Sequence, residues 1–212
     1  MGHMGHLILV RHAKSQWNAL GKWTGLHDIS LSDEGRAQAA ETAVHLKGID
    51  IHKAYTSALK RAKETLEIIV EYLGISAPVI AHPALNERDY GIFTGENKWG
   101  VKEKIGEAEF QKIRRGWDTP IEGGETLKDV HDRVVPYFKE HVLPDVKAGK
   151  NALIVAHGNS LRALVKHLED ISDEAIANVE IGVGEAHVYH LNEHGKMISK
   201  HIRAENADKG KI

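Results

Sequence analysis

Two short apolar runs constrain this chain more than any other feature. Leu7-Ile8-Leu9-Val10 and Ala152-Leu153-Ile154-Val155-Ala156 contain no polar residue, and each ends at a histidine: Arg11-His12 after the first, His157-Gly158 after the second. A run this short and wholly apolar fits a strand covered on both faces, as in a parallel sheet between helix layers. Open α/β sheets bind ligands beyond the carboxyl ends of their strands. If the two strands are neighbours, both imidazoles face one crevice. Taken alone, Arg11-His12 fits a surface arginine and a loop histidine equally well; the second histidine-ended strand shifts the balance.

The rest of the chain supplies the helices. Ser32 reads as an N-cap with Asp33 and Glu34 in the first turn, opening a helix that stops near Gly48. A strand at 54–57 leads into a helix whose apolar face is Leu59, Ala62, Leu66, Ile69, Val70 and Leu73, ended by Gly74. Pro78 marks the run at 78–81 as an edge strand. From Pro83 to Gly124 the chain makes a polar excursion with one or two short helices between Lys98 and Arg115. A helix from Glu125-Thr126 uses Leu127, Val130, Val134 and Phe138, with Pro136 as a kink and Pro144 as its end. Gly158 to Val165 opens another helix, 173–179 a short one, and 186–191 with 197–202 a strand pair. The expected fold is α/β: a three-layer sandwich with a mostly parallel central sheet flanked by helices, forming a single domain over residues 1–212. Residues 1–3 read as a cloning remnant, and 205–212 as a mobile tail.

Bulk properties narrow the classes. Hydrophobic residues make up 42% and charged residues 27% of 212, with a net charge of −2, so no broad nucleic-acid surface is expected. No apolar run approaches the ~20 residues that span a bilayer, so no membrane partner is expected. No signal peptide is read at the N-terminus. The absence of cysteine fits a reducing compartment, and a cytoplasmic location is expected.

Arg61 opens the helix after the 54–57 strand, at the same sheet edge as Arg11 and His12. Two histidines and two arginines around one point suit a phosphoryl group, whose oxygens accept from guanidinium and imidazole donors. A neutral imidazole nitrogen can attack phosphorus. Other features have plainer readings. Gly182-Val183-Gly184 is a turn, far short of a dinucleotide fingerprint. His187, His190 and His194 are given structural roles rather than a metal site. Trp99 and Trp117 are expected to pack under the excursion. Lys112, Arg114 and Arg115 by themselves read as a solvated helix face.

Seven ordered blocks add a resemblance: Arg11-His12 with Ser15, Trp17 and Asn18; Thr24-Gly25; Tyr55-Thr56-Ser57 with Lys60-Arg61-Ala62; Leu85-Asn86-Glu87-Arg88 with Tyr90-Gly91; Asn97-Lys98; Arg114-Arg115-Gly116; and Ala156 to Ala163. Together they resemble the cofactor-dependent phosphoglycerate mutases of the histidine phosphatase superfamily, over Leu7 to about His190. The resemblance implies that His12 is the phosphorylated nucleophile, that Arg11, Arg61 and His157 hold the phosphoryl group, and that Glu87 is the general acid/base. It implies a phosphoglycerate pocket lined by Ser15, Asn18, Thr24, Gly25, Arg88, Tyr90, Lys98, Arg114, Arg115, Gly158 and Asn159. It further implies 2,3-bisphosphoglycerate as priming phosphoryl donor, no metal, and a place in glycolysis and gluconeogenesis. A phosphatase of the same superfamily and a catalytically inactive phosphopeptide- or partner-binding domain are the competing readings. Two departures stand out. Ala13-Lys14 replaces the usual Gly-Glu, and the 117–125 stretch is shorter than in longer members, which leaves a homo-oligomer open.

Overall fold

The computed structural model describes residues 4–207. Among these, β1 (His6–Arg11), β2 (Lys53–Thr56), β3 (Val79–Ala81), β4 (Ala152–Ala156), β5 (Ala186–Leu191) and β6 (Met197–Ala204) form one sheet in the order β3-β2-β4-β1-β5-β6. The four central and left-hand strands run parallel, and β5 and β6 are antiparallel. The mostly parallel α/β sandwich is therefore observed. Every residue of β4, and Leu7 to Val10 of β1, is buried, as their lack of alternation requires. β3 is an edge strand, as Pro78 implied.

Helices cover both faces. α2 (Asp33–His45) starts where the Ser32 hydroxyl accepts the Gly35 N–H. α3 (Lys60–Leu73) ends at Gly74, which adopts φ +64, the left-handed conformation that glycine takes without penalty. Both pack on Ile8, Val10, Leu153 and Val155. The opposite face carries α6 (Leu127–Tyr137) and α8 (Gly158–Leu168), which bury Leu127, Val130, Val134, Leu161 and Leu164 against Leu7, Leu9 and Ile154. Three short helices lie outside these layers: α1 (Gln16–Ala19), α4 (Lys98–Ile105) and α5 (Glu107–Arg115). The last two belong to the excursion and build a satellite core from Trp23, Tyr90, Val101, Phe110, Ile113 and Ile121.

Two expectations are corrected. Pro144 does not end the helical run. After Pro136 the chain widens into a π-turn at Phe138–Val142 and continues as α7 (Leu143–Lys147), with Pro144 in its first turn. There the missing N–H has no partner to lose. Trp99 is 39% exposed and only borders the satellite core; Trp23 fills its centre instead. Residues 205–207 lie within the described chain, while the proposed remnant at 1–3 and the tail from 208 onward lie outside it.

Phe138 is fully buried where the π-turn meets the core. Phe138→Ala is expected to cost about 3–5 kcal/mol, seen as a lower urea midpoint at unchanged slope. A loss below about 1 kcal/mol would mean that the widened turn collapses into the space.

Candidate active site

The parallel pairing of β1 with β4 aligns Arg11 with Ala156, so both chains leave the sheet side by side. The His12 and His157 rings follow, with centroids 4.9 Å apart. His12 Nδ1 lies 2.7 Å from the Ala13 carbonyl oxygen, an acceptor, so Nδ1 carries the proton and Nε2 keeps its lone pair. Burial first, then Arg61 and Arg11, hold the His12 imidazole well below its usual value. The ring is therefore neutral at pH 7. His157 is lowered likewise by burial, Arg61 and His12.

β2 flanks β4 on its other side and delivers Ser57, whose hydroxyl lies 2.7 Å from His157 Nε2 and also accepts the Leu59 N–H. His157 Nδ1 is buried with no partner. When the Ser57 hydroxyl donates to Nε2, the ring proton sits on Nδ1. Ser57 stood in the sequence blocks without a role; its place follows from β2 lying next to β4.

Arg61, in the first turn of α3, donates to the carbonyls of Gly25 (2.8 Å) and His27 (2.9 Å). Gly25 sits at φ +53 and turns its carbonyl toward that guanidinium. Arg11 Nη1 donates to Ile181 O at 2.6 Å, while Arg11 Nε has no partner. Glu87 accepts the backbone N–H of Arg88 (2.7 Å) and of Asn159 (3.1 Å) through Oε1. Its own segment is clamped by Arg133, which donates to the carbonyls of Ala84, Asn86 and Glu87.

These groups line a cavity of two adjoining lobes. One holds Arg11, His12, Asn18, Lys22, Thr24, Gly25 and Arg61. The other holds Arg114, Arg115, Gly158, Asn159, Arg162 and Glu180. Trp23, Glu87, Tyr90 and Lys98 border both. Arg114 and Arg115 thus face the cavity, whereas Lys112 remains on an exposed surface. The buried Trp23 Nε1 and Thr24 Oγ1 have no partner, and such groups favour an incoming acceptor. Burial, then Arg11 and Arg114, push Lys98 down to about 7. Burial lowers Arg61 and Arg115 to about 10 and Arg162 to about 9, still cationic at neutral pH.

His157, Ser15 and Arg88 lie outside the lining of both lobes; His157 is fully buried behind the His12 ring. Ser15 caps α1 through a reciprocal bond with Asn18. Arg88 is fully buried, rests on the Tyr90 ring and donates to Ile113 O. Arg162, which sequence reasoning passed over, binds Asn159 Oδ1 and the carbonyls of Arg115, Ile176 and Val179. The i,i+3 spacing of Asn159 and Arg162 was its only signal.

The Ala13-Lys14 departure proves local. Ala13 keeps the carbonyl that orients His12, and its N–H donates to Thr65 Oγ1. Lys14 turns away to Glu34 at 2.8 Å. Gly35 makes that route possible, since a Cβ there would lie 1.9 Å from the Lys14 carbonyl oxygen.

Among the described residues no group of three or more histidine, aspartate or glutamate side chains could hold a metal. His187 bonds Glu185, His190 meets His6 edge to face, and His194 sits beside Glu193. Among the described residues no helix is long and apolar enough to cross a membrane.

The sequence profile of the histidine phosphatase superfamily (branch 1) matches residues 7–203. The chain belongs to the histidine phosphatase superfamily. It is 44% identical to a 2,3-bisphosphoglycerate-dependent phosphoglycerate mutase of Parvibaculum lavamentivorans, covering 94% of this chain and 96% of that protein. A protein of the same name from Bradyrhizobium diazoefficiens is also 44% identical, over 92% and 95%. Among solved structures, a mycobacterial glucosyl-3-phosphoglycerate phosphatase superposes with a TM-score of 0.82 at 23% identity, covering 96% and 99% of the two chains. The alpha-ribazole phosphatase of Shigella flexneri gives 0.78 at 22%, covering 95% and 98%. At these identities the structural matches show the shared superfamily fold.

Lys98 supplies a pH signature. Above pH 7 its ammonium is largely deprotonated in the empty site, and an anion beside it raises its pKa, so binding takes up a proton. Calorimetric titration with 3-phosphoglycerate at pH 8, in buffers of different ionisation enthalpy, is expected to show net uptake that Lys98→Met abolishes. Buffer-independent heats in the wild type would contradict it.

Proposed function

We propose that this protein is a 2,3-bisphosphoglycerate-dependent phosphoglycerate mutase, an isomerase that interconverts 2- and 3-phosphoglycerate in glycolysis and gluconeogenesis. The observation that carries the reading is the pairing of the two lobes. One holds a neutral imidazole with a free Nε2 beside Arg11 and Arg61, backed by the His157 ring. The other gathers Arg114 and Arg115 beside Lys98 for a second anionic group. A simple phosphomonoesterase has less need of that second cluster. Relatives at 44% identity carry the mutase name.

His12 Nε2 attacks phosphorus in line. An N–P bond forms, the P–O bond to the leaving oxygen breaks, and Glu87 returns to that oxygen the proton it took from the substrate hydroxyl in the preceding transfer. In the reverse sense Glu87 takes the proton of an attacking substrate hydroxyl while the N–P bond breaks. Such transfer contributes roughly 10²–10⁴-fold. Arg11, Arg61 and His157 Nδ1 meet the equatorial oxygens, where charge is spread in the transition state. Tyr90, Asn18, Thr24, Gly25, Gly158 and Asn159 shape the walls, and Ser15 and Arg88 act from behind them. Bisphosphoglycerate supplies the priming phosphoryl group to His12; Lys98, Arg114 and Arg115 would hold its second phosphate. The same arginines neutralise the phosphoryl charge, a task a metal performs elsewhere. We take the chain to be a single domain acting in the cytoplasm on a small-molecule substrate, without nucleic-acid or membrane partners.

A coupled assay with and without 2,3-bisphosphoglycerate tests the assignment. Isomerisation that depends on the bisphosphate is expected; release of inorganic phosphate without isomerisation would make the protein a phosphatase. His12→Ala should lower turnover by at least about 10³-fold with an intact fold. Activity within about tenfold of wild type would rule out His12 as the nucleophile. Arg115→Ala should weaken phosphoglycerate binding while a small phosphoryl donor still labels His12. Equal loss of both would deny a separate distal cluster.

A further inference from the structure

One carboxylate in the cavity is used by no step above. Glu180 lies in the loop between the 3₁₀ turn at Ala175–Asn178 and β5, and lines the distal lobe among Arg11, Lys98, Arg114, Arg115 and Arg162. Its Oε2 contacts Arg115 Nη2, and its Oε1 lies 3.9 Å from Arg11 Nη1. All three side chains are largely shielded, with 19% exposure for Glu180, 15% for Arg115 and 11% for Arg11. Glu180 thus occupies cations that an anionic ligand must reach.

The backbone on either side is pinned. Arg162 Nε donates to Val179 O at 3.0 Å, and Arg11 Nη1 donates to Ile181 O at 2.6 Å. Beyond these, Gly184 N–H donates to Arg11 O. The loop therefore stays put, and only the Glu180 side chain is left to swing. Glu87 is held differently, by two backbone N–H groups on one oxygen. Of the two cavity carboxylates, Glu180 is the one whose partners are themselves ligand-binding cations.

We propose that Glu180 is an internal counter-anion that occupies Arg115 in the empty site, yields it to the second anionic group of a ligand, and returns to speed that ligand's release. A site with so many buried cations would otherwise hold a doubly charged ligand too long, and product release limits turnover in many enzymes. Its close contact is to the distal Arg115, with Arg11 farther off at 3.9 Å, so it weakens doubly anionic ligands most and disturbs a lone phosphate beside His12 least.

The identity of the natural ligand rests on the phosphoglycerate reading, so the test adds a probe that does not. Pyrophosphate is compact and carries two anionic groups. Calorimetry on the full chain compares wild type and Glu180→Gln with pyrophosphate, 3-phosphoglycerate and inorganic phosphate, and stopped-flow displacement reads release. Glu180→Gln is expected to tighten the first two ligands by about three- to tenfold, the range for a partly shielded ion pair, and to slow their release equally. Inorganic phosphate should change less than about twofold, since it does not reach the distal lobe. Glu180→Ala, which removes the charge without adding an amide, should move in the same direction and decides the matter if the glutamine variant loses its thermal transition. Unchanged or weaker binding of pyrophosphate in a folded variant overturns the proposal. Should the wild type bind pyrophosphate but not 3-phosphoglycerate, the phosphoglycerate reading fails while the Glu180 comparison is still read on pyrophosphate.

Discussion

The bond between His12 Nδ1 and the Ala13 carbonyl, 2.7 Å long and buried, decides which nitrogen faces the cavity. A carbonyl can only accept, so Nδ1 carries the proton and Nε2 stays bare. Burial and the two neighbouring arginines reinforce this by keeping the ring neutral. Everything upstream serves that contact. β1 delivers His12 beside β4, Thr65 on α3 fixes the Ala13 peptide through its hydroxyl, and Gly35 lets α2 close over the Lys14 carbonyl. The usual glycine after the histidine is dispensable here, because the orienting group is a backbone carbonyl and Ala13 needs no left-handed conformation.

The second organising force is charge crowding. Arg11, Arg61, Lys98, Arg115 and Arg162 are buried near one another, and each is shifted down by burial. Buried charges without partners are costly. The empty site offsets this with carbonyls: two for Arg61, three for Arg162 and one for Arg11. Glu87 and Glu180 line the same cavity and contribute negative charge. An anionic ligand finds donors already aimed, which is preorganisation in the electrostatic sense. Lys98, with a pKa near 7, is the group most able to change its charge when that ligand arrives.

Much of the frame was legible in the chain itself. Two unbroken apolar runs gave the central strands, and Ser32 and Gly74 marked helix ends by local chemistry that needs no tertiary context. Most residues that the family resemblance grouped, from Arg11 to Asn159, line one cavity, with His157, Ser15 and Arg88 behind its walls. What escaped depends on partners distant in sequence. Ser57 matters because β2 lies against β4, a pairing no local pattern encodes. Glu180 is one charge in a polar loop until Arg115 is brought to it. Trp23 and Trp99 look alike in sequence, and only the path of the excursion decides which is buried. Pro144 misled because a π-turn resets the helical phase just before it.

The nitrogen that bears the phosphoryl group offers the most direct measurement. The protein can be charged with 2,3-bisphosphoglycerate, held at alkaline pH where phosphohistidine survives, and studied by ³¹P NMR with peptide mapping. A single phosphoryl group on Nε2 of His12 is expected, absent when the reaction is quenched in acid. Phosphate on Nδ1, on His157, or on no residue while turnover continues would contradict the role given to the Ala13 carbonyl and to the histidine it orients.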